Sequence, residues 1–270
     1  MENLKTGQFF GQTNQTIQLE GITLTDTEYT HEKVDWHYHE NAYFTFILQG
    51  RVLEGNKKET YNCSAGSLLF HNWQESHYNI KPKGFTRGFH IELEHNWFKK
   101  LDIDLSALQG SISLQHPDLK SLMYRIFKET KLNHSSSSLS VQVLLIELLS
   151  RMAVVHSSTS EKTPLWVAAL KEILHNTAAV ELTTVGELAQ ILGIHPVHLS
   201  RDFRKYFGCS PGEYIRKVKV QQSLSLLPSK ALSLTEIALT SGFADQSHFI
   251  RCFKTENGIT PSQYRKLLIV

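Results

Sequence analysis

The C-terminal third of this chain contains the same phrase twice, and that repeat constrains the fold more than any other feature. Each copy has an apolar run that ends in glycine, then a histidine followed by mixed aromatic and basic residues, and then Gly, Pro and Tyr. The copies are Leu188–Gly193 with His198–Arg204 and Ile237–Gly242 with His248–Lys254, followed by Gly208, Pro211 and Tyr214 in the first and by Gly258, Pro261 and Tyr264 in the second. The offset is 49 residues before the internal turn and 50 after it. Helix, glycine turn and helix in each copy predict two helix-turn-helix motifs in tandem.

Helix-capping patterns indicate where each motif begins. Thr184-x-x-Glu187 and Ser233-x-x-Glu236 are capping boxes, in which a hydroxyl and a carboxylate satisfy free amides of the first helical turn. The two boxes lie 49 residues apart, in register with the repeat. Their agreement with the repeat supports a first helix that starts at each box.

The second helix of each motif has a packing face and a basic face. The packing faces carry i, i+4 pairs, namely Leu199 with Phe203 and Phe249 with Phe253. Arginine bridges guanine O6 and N7, glutamine pairs with adenine, and an aliphatic side chain contacts the thymine methyl group, while lysines one turn further on reach phosphates. We therefore predict contacts with double-stranded DNA from the opposite faces, which carry Val197, Ser200, Arg201, Arg204 and Lys205 in the first motif and Gln246, Ser247, Ile250, Arg251 and Lys254 in the second.

The segment between the motifs, Pro211–Leu227, is predicted to be a rigid linker helix. It would fix the spacing of the two second helices so that they enter successive major grooves, about 34 Å apart, on one face of the DNA. The alternative is a helical scaffold repeat without DNA affinity. Two copies at an offset of 49 or 50 residues do not match the common helical repeats.

The charge distribution agrees with a DNA-binding C-terminal part. From Pro164 onward there are 12 Lys+Arg and 8 Asp+Glu, a net charge of +4. The remainder has 16 and 18, a net charge of −2, so that the whole chain has +2. The surplus is modest, but its sign favours an anionic partner.

The first 156 residues have a different pattern. From about Ile17 to Leu93, short apolar runs separated by Gly, Pro and Asn predict an all-β sandwich or small barrel. Pro117–Leu132 and Leu139–Val155 then carry apolar stripes at helical spacing. The predicted domains are an all-β domain with following helices at 1–156, a polar linker at 157–163, and an all-α domain at 164–270 that holds helix-turn-helix motifs at 184–207 and 233–257.

The second copy of the repeat, from Ile237 to Arg265, resembles the C-terminal signature of the AraC/XylS family of bacterial transcription regulators. The resemblance covers about Leu165 to Leu267. It departs at Ser223, a position that is usually alanine, and at His195-Pro196, where the second helix of the first motif begins. The resemblance implies a sequence-specific transcription regulator that binds DNA and is not an enzyme. It also implies an activator that acts on RNA polymerase when a small-molecule effector occupies the barrel.

The helix at Leu139–Val155 has a wide apolar stripe. The family resemblance implies that this stripe forms the two-fold interface of a homodimer. The alternative is that it packs only on the barrel and on Pro117–Leu132.

Three histidines of the N-terminal domain have a suggestive spacing. His37-Tyr38-His39 places two imidazoles on one face of a strand, and His77 follows. The pattern resembles the cupin barrel, whose metal-binding members add a glutamate, but no carboxylate lies near Tyr43, where it is expected. We therefore predict a ligand-sensing barrel without metal or other cofactor. The predicted effector pocket consists of Trp36, His37, His39, Tyr43 and His77.

The alternative interpretation of these histidines is a metal held by His37, His39 and His77, and with it a metal-dependent cupin enzyme with a helical appendage. His90 and His95 have no partner at a suitable spacing and are predicted to be surface or capping residues.

Other features bear on the compartment. The three cysteines are scattered, without metal-binding spacing, and indicate a reducing environment. The N-terminus is polar and lacks a signal-peptide core, and the most apolar stretch, Val141–Val155, is too short to span a bilayer. We expect a cytoplasmic protein with no membrane partner.

Overall fold

The computed structural model describes residues 1–103, 110–132, 134–157, 164–175 and 184–268. These residues form two compact units. The N-terminal unit comprises Met1–His116 and Glu129–Val143, and the C-terminal unit comprises Pro117–Lys128 and Leu144–Val270. The predicted combination of a β-rich N-terminal domain and an all-α C-terminal domain is confirmed.

The strands belong to the N-terminal unit and form two sheets. The first has the order β1-β4-β9-β6-β7 and the second has the order β11-β8-β5-β10-β3-β2. Neighbouring strands are antiparallel, except that β1 pairs in parallel with β4. The strands are β1 (Glu2–Leu4), β2 (Gln12–Leu19), β3 (Ile22–Glu28), β4 (Lys33–His39), β5 (Ala42–Gln49), β6 (Arg51–Asn56), β7 (Thr60–Ser64), β8 (Leu68–His71), β9 (His77–Ile80), β10 (Arg87–Leu93) and β11 (Ser111–Ser113).

The centre of the second sheet forms the floor of the barrel. β5 is apolar except at Thr45 and Gln49 and is buried at every position except its last, as expected for a strand covered on both faces. β10 is buried throughout although it contains Arg87, His90 and Glu92. Buried polar side chains need hydrogen-bond or charged partners. β10 therefore brings ionisable groups into the interior.

The helices lie mainly in the C-terminal half of the chain. The two long helical stripes predicted before residue 156 are confirmed within two residues at each end. The helices are α1 (His95–Lys100), α2 (Pro117–Leu132), α3 (Ser137–Ser157), α4 (Leu165–His175), α5 (Val185–Ile191), α6 (Pro196–Phe207), α7 (Pro211–Leu226), α8 (Leu234–Thr240), α9 (Gln246–Asn257) and α10 (Pro261–Leu268).

The division into units differs from the domain limits expected from sequence. The greater part of α2 and of α3 groups with the C-terminal helices. The Tyr264 hydroxyl donates a 2.6 Å hydrogen bond to the backbone carbonyl of Tyr124, and Lys217 Nζ lies 2.8 Å from Asp118 Oδ1. These contacts within the C-terminal unit account for the grouping. Of the predicted linker at 157–163, the structure describes Ser157 and not residues 158–163. The predicted domain limits therefore stay a prediction.

The two helix-turn-helix motifs fold where the repeat places them. α5 and α6 form the first motif, and α8 and α9 form the second. Both predicted capping boxes are present, at Thr184 with Glu187 and at Ser233 with Glu236. Gly193 and Gly242 end the first helices with φ of +63° and +77°, a conformation that glycine adopts without strain.

Cys63, Cys209 and Cys252 are free thiols. Among the described residues, no helix is both long enough and apolar enough to cross a membrane.

Candidate functional site

The second helix of each motif is anchored by the predicted aromatic and leucine pair. Leu199 and Phe203 of α6 are fully buried, as are Phe249 and Phe253 of α9. Phe203 stacks on Phe207, with 4.2 Å between ring centroids. Because these side chains hold one face of each helix, the opposite face is directed to solvent.

The predicted reading residues of α6 are all exposed, and those of α9 are exposed or half-buried. The Arg201 guanidinium donates hydrogen bonds of 2.8 and 3.2 Å to the carboxylate of Asp202. Gln246 Oε1 accepts a 2.7 Å hydrogen bond from the Thr235 hydroxyl, which holds this side chain against the first helix of its motif. Arg251, in contrast, is followed by Cys252, so no acidic side chain is adjacent to it in the sequence.

The start of the second helix differs between the motifs. α9 is capped by Asp245, whose carboxylate accepts a 2.7 Å hydrogen bond from the His248 amide. α6 is capped by His195, whose Nδ1 accepts a 3.3 Å hydrogen bond from the Val197 amide. The carboxylate bond is shorter and adds a favourable interaction with the helix dipole, so α9 has the stronger cap.

The linker helix α7 is continuous, as predicted, and has a capping box at Ser210 and Glu213 that the sequence analysis missed. Its Tyr214, Ile215 and Val218 belong to the same apolar cluster as the buried residues of the first motif. Lys219 Nζ donates a 2.6 Å hydrogen bond to the Gly242 carbonyl in the turn of the second motif. One rigid helix thus contacts both motifs.

The N-terminal unit has a second chemical centre inside the barrel. His37 and His39 of β4 point inward, and His77 of β9 is the register partner of His37. A ligand nitrogen of each of these three side chains lies within 4.8 Å of the others. Burial lowers the pKa of all three imidazoles, that of His77 to about 3, and thus favours their neutral form.

Tyr43 joins this group from the facing sheet. Its hydroxyl lies 3.0 Å from His77 Nε2, and its ring stacks on His71 at 4.5 Å between centroids. Glu54 lies 3.1 Å from His71 Nε2, and burial raises the pKa of Glu54 to about 8. Burial also lowers the pKa of His71, so this contact favours two uncharged groups over an ion pair.

The structure brings together four of the five residues predicted for the effector pocket, and it separates the fifth. Trp36 lies on the outer face of β4, where it is 39% exposed and packs edge-on against Tyr78. The reason is the two-residue period of a strand: with His37 and His39 inside, Trp36 faces outward.

Further interior residues beside His71 and Glu54 were not predicted. His90, expected at the surface, is buried on β10 and lies 3.2 Å from the Thr45 hydroxyl, so that expectation is wrong. Phe9 stacks on His90 with 3.8 Å between centroids and lies beside His39. His95, as predicted, is exposed at the start of α1.

The cavity at this centre is small. It leaves about 20 Å³ of space, which suits a water molecule or a single ion. Its walls come from both sheets and from the segment before β2, and they include Phe9, Phe10, Tyr29, His37, His39, Tyr43, Glu54, His77 and His90.

The helix α3 has buried and exposed apolar residues. Its predicted stripe is buried, including Leu145 and Leu148. Leu139, Val143 and Ile146 are exposed on the same helix at i, i+4 and i+7 spacing, which places them on one further face.

Comparison with known proteins gives two family matches. Residues 188–267 match the model of a helix-turn-helix domain, and residues 20–149 match that of the AraC-like ligand binding domain. The "Msm operon regulatory protein" of Streptococcus mutans is 24% identical over 93% of this chain and 95% of its own length. The "Uncharacterized HTH-type transcriptional regulator YisR" of Bacillus subtilis is 27% identical over 76% and 71%, respectively. The "Probable transcription factor PqrA" of Proteus vulgaris is 32% identical over 36% and 77%.

The two matched regions correspond to the two parts that the repeat and the strand pattern separate. The helix-turn-helix match contains both repeated phrases, and the ligand-binding match contains the histidine cluster.

Proposed function

Because the chain belongs to the AraC family of transcription regulators, we propose that it activates transcription when a small-molecule effector occupies its N-terminal barrel. The observation that carries the proposal is the pair of second helices, each held by buried side chains and each presenting an exposed basic face. The proposed base contacts are made from the first turns and the middle of α6 and α9, and the proposed phosphate contacts are made by Lys205 and Lys254.

Selection of bound duplexes from random DNA, followed by footprinting, tests this proposal with the full-length protein. We expect two protected tracts about one helical turn apart, one for each motif. Protection without a preferred sequence, or of one tract only, would contradict the assignment of two reading helices.

The effector site is proposed to be the interior around His37, His39, Tyr43 and His77. Space of about 20 Å³ is far below the several hundred Å³ of an ordinary small-molecule pocket. An organic effector therefore displaces the Phe9 and Phe10 side chains as it enters. Phe9→Ala is expected to enlarge the cavity and to change which candidate effectors shift the melting temperature of the protein.

The protein is further proposed to act as a homodimer through α3. Leu139, Val143 and Ile146 form an exposed apolar stripe that suits a second copy of the same helix. Sedimentation of the full-length protein is expected to show a dimer that Val143→Glu dissociates. Gln142→Glu, a like change off the stripe, is the control. If the parent protein is monomeric at tens of micromolar, the proposed dimer is wrong.

RNA polymerase is the proposed protein partner and the cytoplasm the proposed compartment, since regulated promoters are found there. We assign regulation and no catalysis to this chain. Transcription in vitro from a selected site, with and without added effector, tests activation directly. A decrease in transcript would identify a repressor.

A further inference from the structure

The three imidazoles inside the barrel are arranged by backbone hydrogen bonds. His37 Nδ1 lies 2.9 Å from the Asp35 carbonyl, and His77 Nδ1 lies 3.2 Å from the Glu75 carbonyl. A carbonyl oxygen only accepts, so each Nδ1 carries the proton and donates it. In a neutral ring, the Nε2 atom then has the lone pair, and that of His77 accepts the 3.0 Å hydrogen bond from the Tyr43 hydroxyl.

This hydrogen-bond pattern is the one that orients metal-binding histidines. Such side chains donate their second ring nitrogen to a carbonyl or carboxylate, which fixes the tautomer and the direction of the ligand atom. His39 adds an independent observation: it is 2% exposed, and its Nδ1 has no hydrogen-bond partner in the described part of the chain. A buried ring nitrogen without a partner is costly unless something binds it.

We propose that His37, His39 and His77 bind one divalent transition-metal ion, with zinc as the reference ion. Their ligand nitrogens lie within 4.8 Å of one another. Tetrahedral zinc with bonds of 2.0–2.1 Å requires nitrogens about 3.3 Å apart, so an inward movement of the order of 1 Å closes the site. The cavity has space for one ion.

The absent carboxylate does not prevent binding. Three neutral histidines hold zinc when the fourth position is left to water or another oxygen ligand. The Tyr43 hydroxyl donates to His77 Nε2 at 3.0 Å, so an ion on this nitrogen would replace that hydrogen bond and have an oxygen donor nearby. Three imidazoles without a thiolate favour zinc, nickel or iron(II) over the softer ions. The site is thus open and suits an oxygen donor.

The test uses full-length protein freed of metal with a chelator and then titrated with Zn²⁺ by calorimetry. We expect one tight equivalent per chain. His39→Gln should weaken this binding by more than about 100-fold, because even an outer residue of a metal site changes affinity 10–100-fold. The matched control is His90→Gln, since His90 is equally buried at the same cavity but outside the cluster.

Co²⁺ provides a measurement that does not depend on any variant. In the parent protein it should give visible absorption bands of a four-coordinate site without the near-ultraviolet band of thiolate ligation. Circular dichroism shows whether His39→Gln is folded, and His77→Asn replaces it if it is not. The proposal is overturned if the parent binds neither Zn²⁺ nor Co²⁺ stoichiometrically, if Co²⁺ shows thiolate ligation, or if folded cluster variants bind as the parent does.

Discussion

The guanidinium of Arg201 is paired with the carboxylate of Asp202, the next residue of α6. At the corresponding place in the second motif, Arg251 is followed by Cys252. To contact a base, the Arg201 guanidinium must break its ion pair with Asp202. The Asp202 carboxylate then lies near the phosphates of the DNA, which repel it. The second motif has neither disadvantage, and its α9 also has the stronger cap.

This asymmetry predicts unequal effects of arginine removal. Arg251→Ala should cost about 1–3 kcal/mol at the selected site and relax the base preference there. Arg201→Ala should reduce the binding free energy less, because the parent protein must break the Arg201–Asp202 ion pair before it binds and the variant need not. Fluorescence anisotropy with specific and scrambled duplexes measures both. Arg216→Ala, exposed on the linker helix, is the control. Equal losses for both reading arginines would show that the motifs contribute alike.

Lys254 is predicted to bind phosphate and not a base. It is exposed in the last turn of α9, one turn beyond Arg251. Lys254→Ala should weaken binding to all duplexes alike and reduce the slope of log affinity against log salt by about one. Lys230→Ala, exposed before α8, should leave the slope unchanged. A loss confined to the specific duplex would identify Lys254 as a base-reading residue.

The helical domain was predictable from sequence because its determinants are local. Capping boxes, glycine turns and i, i+4 pairs depend on residues only a few positions apart. Each of these signals also occurs in both copies of the repeat, which supports it independently. The structure accordingly has α6 and α9 where the phrase places them.

The interior of the barrel was less predictable because strand pairing brings together residues that are far apart in sequence. Nothing near His90 indicates that β10 pairs with β5 and directs this side chain to Thr45. Phe9 reaches the same cavity from before β2. The outward placement of Trp36, in contrast, could have been predicted from the sequence, since Trp36 alternates with His37 and His39 along the strand.

The two helix caps should differ in strength. Asp245→Ala removes a 2.7 Å carboxylate bond to the His248 amide and should cost about 1 kcal/mol. Hydrogen exchange in the first turn of α9 should then be about fivefold faster. His195→Ala removes a 3.3 Å bond and should have the smaller effect on α6. The reverse order would mean that packing and not the cap holds these helix starts.

A buried ion pair is predicted to stabilise the N-terminal unit. Arg87 donates hydrogen bonds of 2.7 and 2.6 Å to both carboxylate oxygens of Asp26, and Lys131 lies 2.6 Å from the same group. Burial alone would raise the pKa of Asp26, but these cations outweigh it and lower the pKa. Arg87→Met removes the two hydrogen bonds from the guanidinium and leaves Lys131 as the partner of Asp26, so it should cost about 1.5–3 kcal/mol in urea unfolding. Lys33→Met, which breaks an exposed pair with Asp35, should change stability little. If Arg87→Met changes the free energy of unfolding as little as Lys33→Met does, Lys131 alone is sufficient to stabilise the charge of Asp26.

Glu54 is predicted to make the barrel less stable as the pH rises. Burial raises its pKa to about 8 in the folded protein, against about 4.5 when exposed, and only Asn79 opposes this by a hydrogen bond. The folded state therefore holds a proton that the unfolded state releases, and its stabilising effect is complete below pH 4.5 and lost as the pH passes 8. Near neutral pH the free energy of unfolding should fall by up to about 1.4 kcal/mol per pH unit from this group. Buried histidines act in the opposite direction only below about pH 6.5, and Glu92, whose pKa burial raises to about 7, adds a decline of the same sign. The difference between the parent and Glu54→Gln between pH 7 and 8 therefore isolates the Glu54 carboxyl group. Urea unfolding followed by tryptophan fluorescence should show a shallower decline in Glu54→Gln than in the parent. An identical decline in both would mean that Glu54 is already ionised in the folded barrel.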